Sequence, residues 1–297
     1  MLVLVMLFPL GCSRVQFAYQ QLDWLIPFYV DDFIELNDSQ DAYLEAEVDR
    51  LLSWHCKTHL SDYADLLRGA NWDFQQGSMD LARLQIALTR IEDYWREIKL
   101  QASPAIGRLF LSSSQSQLEA FLGALEERNR EWLEAFESQT PEALREKYAE
   151  RMRDELERWF GDLTPAQQRA VVDWSRRFEP AGLEGFQARG QWQASLRALF
   201  QRRSPEAEFQ AGLQALLIDP RAVQPEPYQR RLERNRATTL ELLVQVAGQL
   251  NAEQLQHLDD RIQAVAEDFD RLACSGEAAP PQPAKTPHPA EGLLELY

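Results

Sequence analysis

The sequence predicts an all-α protein, an elongated bundle of about nine mostly antiparallel helices with no sheet. Three observations carry this reading. Val, Ile and Thr are sparse, and no stretch alternates apolar and polar residues for long enough to form a half-buried strand. Apolar side chains instead recur at steps of three and four, which collects them on one face of a helix. Between such stretches stand start signals: Thr140-Pro141, Thr164-Pro165 and Ser204-Pro205 each place a capping hydroxyl before a proline suited to the first helical turn.

In chain order, residues 1–11 read as an export signal. Residues 1–10 form an apolar run broken only by Pro9, leading into Gly11, Cys12 and Ser13. Ten helical residues rise about 15 Å, roughly half of what a membrane span requires. The small residue before a cysteine resembles the bacterial lipobox, in which cleavage leaves Cys12 first and lipidated. The alternative is a buried N-terminal segment with one core cysteine. Residues 12–38 follow as an aromatic segment close to the anchor, with Phe17, Tyr19, Trp24, Phe28, Tyr29 and Phe33. These side chains could sit at a bilayer surface, where Trp and Tyr are favoured, or pack onto the bundle.

Residues 39–274 are expected to form the helical bundle. Leu84, Leu88, Ile91, Trp95 and Ile98 make one stripe; Leu118, Phe121, Leu122, Leu125, Trp132 and Phe136 make another. Tyr228, Leu232, Leu242, Val246 and Leu250 make a third, and Leu255, Leu258, Ile262, Val265, Phe269 and Leu272 mark the last helix. Pro220, Pro225 and Pro227 form the longest internal break, where a two-lobed layout could divide, although one bundle is the simpler arrangement. From residue 275 the composition shifts, and five prolines between 280 and 289 favour an extended tail, 275–297, ending in Leu293, Leu294, Leu296 and Tyr297. Those last side chains could dock on a partner, dock on the bundle, or stay solvated.

With 47 acidic against 31 basic residues, the 297-residue chain carries a formal charge of −16. That balance repels phosphate backbones and argues against nucleic acid as a partner. His55 and His59 stand four apart, on one side of a helix and within reach of one ion, with Asp62 as a candidate third ligand. Two ligands do not make a site, and Leu51, Leu52, His55 and Tyr63 share a stripe that equally suits a packed or hydrogen-bonded histidine. An acidic run from Asp31 to Asp49 lacks the order of a calcium loop and reads as a solvated face, for which Arg230, Arg231, Arg234 and Arg236 are candidate partners. No nucleophile elbow, P-loop or dinucleotide fingerprint occurs. No cofactor and no catalytic residue are therefore expected. Cleavage at Cys12 would leave Cys56 and Cys274, either bridged or as separate buried thiols; a bridge closing so long a loop would stabilise the fold by roughly 5 kcal/mol.

Leu36 to Gln40, Leu163 to Gln167 and Leu250 to Gln254 all read L-[TN]-x-x-Q. Locally this is a capping box, in which Asn or Thr caps a helix and Gln returns to the cap's N–H. The second copy also resembles the LTxxQ motif of the Spy/CpxP family of periplasmic helical chaperones, which implies client binding as an alternative. A wider series looks like an uncharacterised family of proteobacterial lipoproteins, a domain of unknown function: Gly11-Cys12, Ala18-Tyr19, Leu22-Asp23-Trp24-Leu25, Tyr29, Asp31-Asp32-Phe33, Leu36 to Gln40, Trp54-His55 and Tyr63-Ala64. That resemblance implies an exported, lipid-anchored helical protein and brings no activity or ligand with it. The expectation is an outer-membrane protein facing the periplasm, held by its lipid, with a protein partner in the envelope. The rival is a metal-dependent hydrolase centred on His55 and His59.

Overall fold

A computed structural model describes the protein over residues 14–274, so Cys12, residues 1–11 and residues 275–297 lie outside the described residues. The described chain is all-α, with twelve α-helices, one short 3-10 turn and no strand. Helices α1 (Arg14–Gln20) and α2 (Leu22–Asp31) occupy the aromatic segment. There follow α3 (Asp38–Thr58), α4 (Leu60–Gln75), α5 (Leu81–Ser112), α6 (Gln115–Glu137) and α7 (Pro141–Phe160). The remainder are α8 (Pro165–Arg177), α9 (Gly182–Phe200), α10 (Glu206–Ile218), α11 (Glu226–Ala247) and α12 (Ala252–Leu272). Ten helices thus stand where the stripes predict about nine, because the apolar pattern runs on through the break at His59 between α3 and α4.

Local chemistry accounts for most of the boundaries. Asn37, Asp80, Ser114, Thr140, Thr164 and Asn251 each cap a helix through a side-chain oxygen. At Ser204-Pro205 the expected start is displaced: Pro205 occupies the cap position, α10 begins at Glu206, and no side chain caps it. Gly161 ends α7 at φ +72°, a conformation open to glycine and strained for other residues.

The main helix pairs are antiparallel, and most are not sequence neighbours. Tyr63, Asn71 and Gln75 of α4 meet Phe269, Asp259 and Leu255 of α12 in reverse order. In the same sense Leu125 and Asn129 of α6 meet Gln193 and Arg189 of α9. Trp174 and Gln167 of α8 reach Thr239 of α11 and the Gln249 carbonyl just beyond it. The α5–α10 crossing is close enough that a Cβ on Gly107 would collide with the Gln210 side chain.

Two apolar cores result. One joins α7, α8, α11 and α12 around Val171, Trp174, Leu242, Val246 and Leu258, with Leu67 and Phe74 of α4 against it. The other joins the second half of α5 with α6, α9 and α10 around Phe110, Leu118, Leu196, Phe209 and Leu213. Because each core draws helices from separate parts of the chain, the proline break at 220–227 divides neither of them. Long helices bridge the two: α5 carries Tyr94 near one and Phe110 in the other. The aromatic segment packs onto this body, with Phe33 beside Phe121 and the Arg128 guanidinium 4.3 Å from the Phe33 ring centre.

The L-[TN]-x-x-Q sequences are true capping boxes, and they meet in space. Gln167 and Gln254 exchange side-chain hydrogen bonds at 3.1 and 2.8 Å while each accepts a bond from its own cap's N–H. Gln40 likewise accepts from Gln117, whose capping box opens α6, at 2.7 Å. Gln40, Gln167 and Gln254 are at most 3% exposed, so these amides face one another and not solvent. We predict that Gln167→Ala and Gln254→Ala each destabilise the protein by about 2 kcal/mol in denaturant unfolding. The double variant should lose less than the sum, because the second change removes a partner already stranded.

Candidate functional site

The densest group of titratable side chains gathers where α3 hands over to α4. His55 lies in the last turn of α3 and His59 follows it, their rings stacked with centroids 5.3 Å apart. His55 Nδ1 is 3.0 Å from the Tyr19 hydroxyl of α1, and its Nε2 is 3.0 Å from the Tyr63 hydroxyl of α4. A neutral imidazole carries one N–H and one lone pair, so one tyrosine accepts from it and the other donates to it. Burial lowers the His55 pKa to about 4, and the neighbouring His59 pushes it the same way. Burial also pushes the Tyr19 and Tyr63 hydroxyls up to about 12. At neutral pH all three side chains are uncharged, as a partly desolvated polar chain requires.

His59 is almost fully buried, at 1% exposure. Its Nδ1 lies 2.7 Å from the Thr58 hydroxyl. Its Nε2 stands 3.2 Å from a Glu97 carboxylate oxygen of α5, at an angle that does not make a regular hydrogen bond. Trp54 and Tyr94 pack edge-on against the ring, with centroids 4.7 and 5.4 Å away. Phe269 of α12 closes on Tyr63 from the far side. Beside this cluster Cys56 and Cys274 form a disulfide, with Cα atoms 5.3 Å apart, and the Cys274 N–H donates to the Cys56 carbonyl at 3.1 Å.

The arrangement favours a closed polar plug over a reactive centre. Both nitrogens of His55 are taken by tyrosine hydroxyls, and the carboxylate that approaches His59 is Glu97, while Asp62 is exposed and lines a groove between α4 and α5. Among the described residues no group of three or more His, Cys, Asp or Glu side chains is arranged to hold a metal ion. Nothing in the sequence marks Tyr19 or Glu97 as a partner of the histidines, since each reaches them from a separate helix. Tyr94 was hidden by Trp95. Tyr94 turns inward, whereas Ile91 and Trp95 of the predicted stripe remain exposed.

Charge pairing also departs from expectation. Arg230, Arg231, Arg234 and Arg236 pair with Glu226, Glu179, Glu184 and Glu92, not with the acidic run. Within that run, Asp32 meets Arg128 at 3.1 Å and Glu47 meets Arg50 at 2.7 Å.

An all-α body of this kind, built on paired capping boxes and a buried His–Tyr chain, has a counterpart in sequence. A family of unknown function, DUF6279, matches residues 32–230, and the chain belongs to it. Most of the ordered series from Asp31 to Ala64 lies in that span, while Tyr19, Phe269 and Cys274 lie outside it. No curated protein and no solved structure matches the chain.

Two predictions follow from the cluster. The folded-state pKa of His55 lies below the unfolded value of 6.5, so the unfolded chain binds the proton more readily. The stabilisation is complete above pH 6.5 and is lost as pH falls toward 4, on the order of 2 kcal/mol after allowing for partial exposure. Unfolding measured between pH 7 and 5 should show this slope in the native protein and a shallower one in His55→Gln. Cys56→Ser should lower stability by up to about 5 kcal/mol, since the bridge spans 218 residues of sequence, and reductant should lower the melting temperature of the native protein alone.

Proposed function

We propose that the protein is a lipid-anchored, periplasm-facing helical protein that works by binding other proteins, as a scaffold or envelope-assembly factor, and not by catalysis. The observation that carries this reading is the Cys56–Cys274 disulfide. Such bonds form and persist in oxidising compartments, the bacterial periplasm among them. The apolar residues 1–10 leading into Gly11-Cys12 supply an export route and a lipid attachment point, and Ser13 after the cysteine is consistent with delivery to the outer membrane. Among the described residues no helix is long and apolar enough to cross a membrane, so attachment through Cys12 would do the anchoring. Phe17 and Phe28, exposed on α1 and α2, lie close to it in sequence.

Binding rather than turnover is favoured by what the surface offers. Both ring nitrogens of His55 are held by tyrosine hydroxyls, whereas Trp72, Ile86, Ile91 and Trp95 expose large apolar area on α4 and α5. The L-[TN]-x-x-Q sequences open α3, α8 and α12 as capping boxes, a local role that supports the scaffold reading ahead of Spy/CpxP-like client binding.

Mass spectrometry of the protein from its native membrane should find Cys12 as the first residue, bearing acyl chains. Cys12→Ala should move the protein from the membrane to the soluble fraction. An intact, unacylated N-terminal segment or a cytosolic location would overturn the anchoring, and failure of crosslinking in intact envelopes to capture any protein would overturn the interaction role.

A further inference from the structure

We propose that the groove between α4 and α5 docks an amphipathic helix of a partner protein, one that lays apolar side chains into the groove and brings Lys or Arg to its acidic end. This rests on the reading that the protein works by binding, and it names the surface used and the chemistry of the partner. The groove has a volume of about 510 Å³. Asp62, Leu66, Gly69 and Asp73 make its α4 wall, at i, i+4, i+7 and i+11 of one helical face. On the α5 wall Ile86 and Arg90 stand four apart, and the same face continues to Asp93 and Glu97. From Asp62 to Asp73 the wall runs about 17 Å, three turns of a helix laid alongside.

Small side chains hollow out the middle. Gly69 and Ala70 of α4 and Ala87 of α5 line it, and a Cβ added at Gly69 meets nothing within 4 Å. Apolar groups border this hollow without being covered: Ile86 is 65% exposed, and Trp72, three residues after Gly69 on the rim, is 66% exposed. Large apolar side chains left open beside a hollow between two helices are what a third helix needs in order to pack with its apolar face inward.

Charge sets the sign of the partner. At the α4–α5 turn Arg83 is neutralised by Asp73 at 3.2 Å. At the other end Asp62, Asp65, Asp93 and Glu97 are all exposed. The cation among them on the groove wall is Arg90, which lies 6.0 Å from the Tyr94 ring centre. Asp65 approaches Arg68 at 3.6 Å, but Arg68 also pairs with Asp270, so one guanidinium is shared between two carboxylates. These charges converge on Tyr94: burial and Asp62 push its hydroxyl up, Arg90 opposes them, and Glu97 and Asp65 add to the rise. Lys or Arg at one end of the docked helix meets this unbalanced negative charge, and an acidic helix is repelled by it.

The test irradiates intact envelopes containing the full chain with a photoactivatable residue in place of Trp72, and sequences the crosslinked segment by mass spectrometry. The expected segment carries apolar residues at helical spacing with Lys or Arg at one end. Gly69→Leu, which fills the hollow from a position with open space, should cut the yield at least about tenfold while the melting temperature stays the same or rises, glycine being a poor helix former. Asp62→Asn combined with Asp65→Asn should cut it about threefold, a difference that narrows at high salt. A yield indifferent to Gly69→Leu, a contact segment without basic residues, or a crosslink to a second copy of this chain would each overturn the proposal. If a photoactivatable residue in place of Phe28 captures a partner and one in place of Trp72 does not, the groove is wrong and the binding role stands. If neither captures a protein, both fall.

Discussion

A helix that begins inside a protein has amide hydrogens its own turns cannot satisfy, and this requirement organises the packing here. Four helices, α3, α6, α8 and α12, open with a capping box in which glutamine returns to its cap. The same glutamines then use their remaining donors and acceptors on each other, Gln40 with Gln117 and Gln167 with Gln254. A side chain that fixes its own helix start and also recognises another specifies which starts meet. Once α8 and α12 are joined this way, α11 is drawn to α8 through Trp174 and Thr239, and the first core closes around Val171 and Leu242. The pair formed by α3 and α6 does the same beside the second core.

The two cores are linked by α5, whose halves behave differently. After Pro104 the helix buries Gly107, Leu109 and Phe110; before it, only Tyr94 and Ser103 are buried. Apolar residues on the first half therefore contribute little to the core and leave a surface for other contacts. Ion pairs spread over the outside, such as Arg234 with Glu179 and Arg177 with Glu241, are exposed and worth little individually. Stability rests on the cores, the paired caps and the cross-link.

The all-α class and most helix starts were legible in the sequence because both are local properties. Thr140, Thr164 and Asn251 act within four residues of themselves, and the stripe from Leu255 to Leu272 needs no knowledge of its partner. Pairing was not legible: α4 finds α12 across nearly two hundred residues, and nothing in either stripe names the other. The candidate site divides in the same way. His55, His59 and Tyr63 could be placed together from spacing, whereas Tyr19 and Glu97 arrive from helices that only the tertiary fold brings near. The stripe on α5 misled because periodicity reports an apolar face without saying whether anything covers it. Ser204 misled because a hydroxyl before proline is a necessary sign of a cap and not a sufficient one.

The sulfur bridge between Cys56 and Cys274 also changes how the molecule would bear load. A pull applied between the N-terminal helices and the segment beyond residue 274 travels through α1, α2 and α3 to Cys56, crosses the bridge, and leaves at Cys274. The chain between them, which holds both cores, is a closed loop outside the line of force. Tension can therefore peel α1 and α2 from the body while the bulk of the protein stays folded.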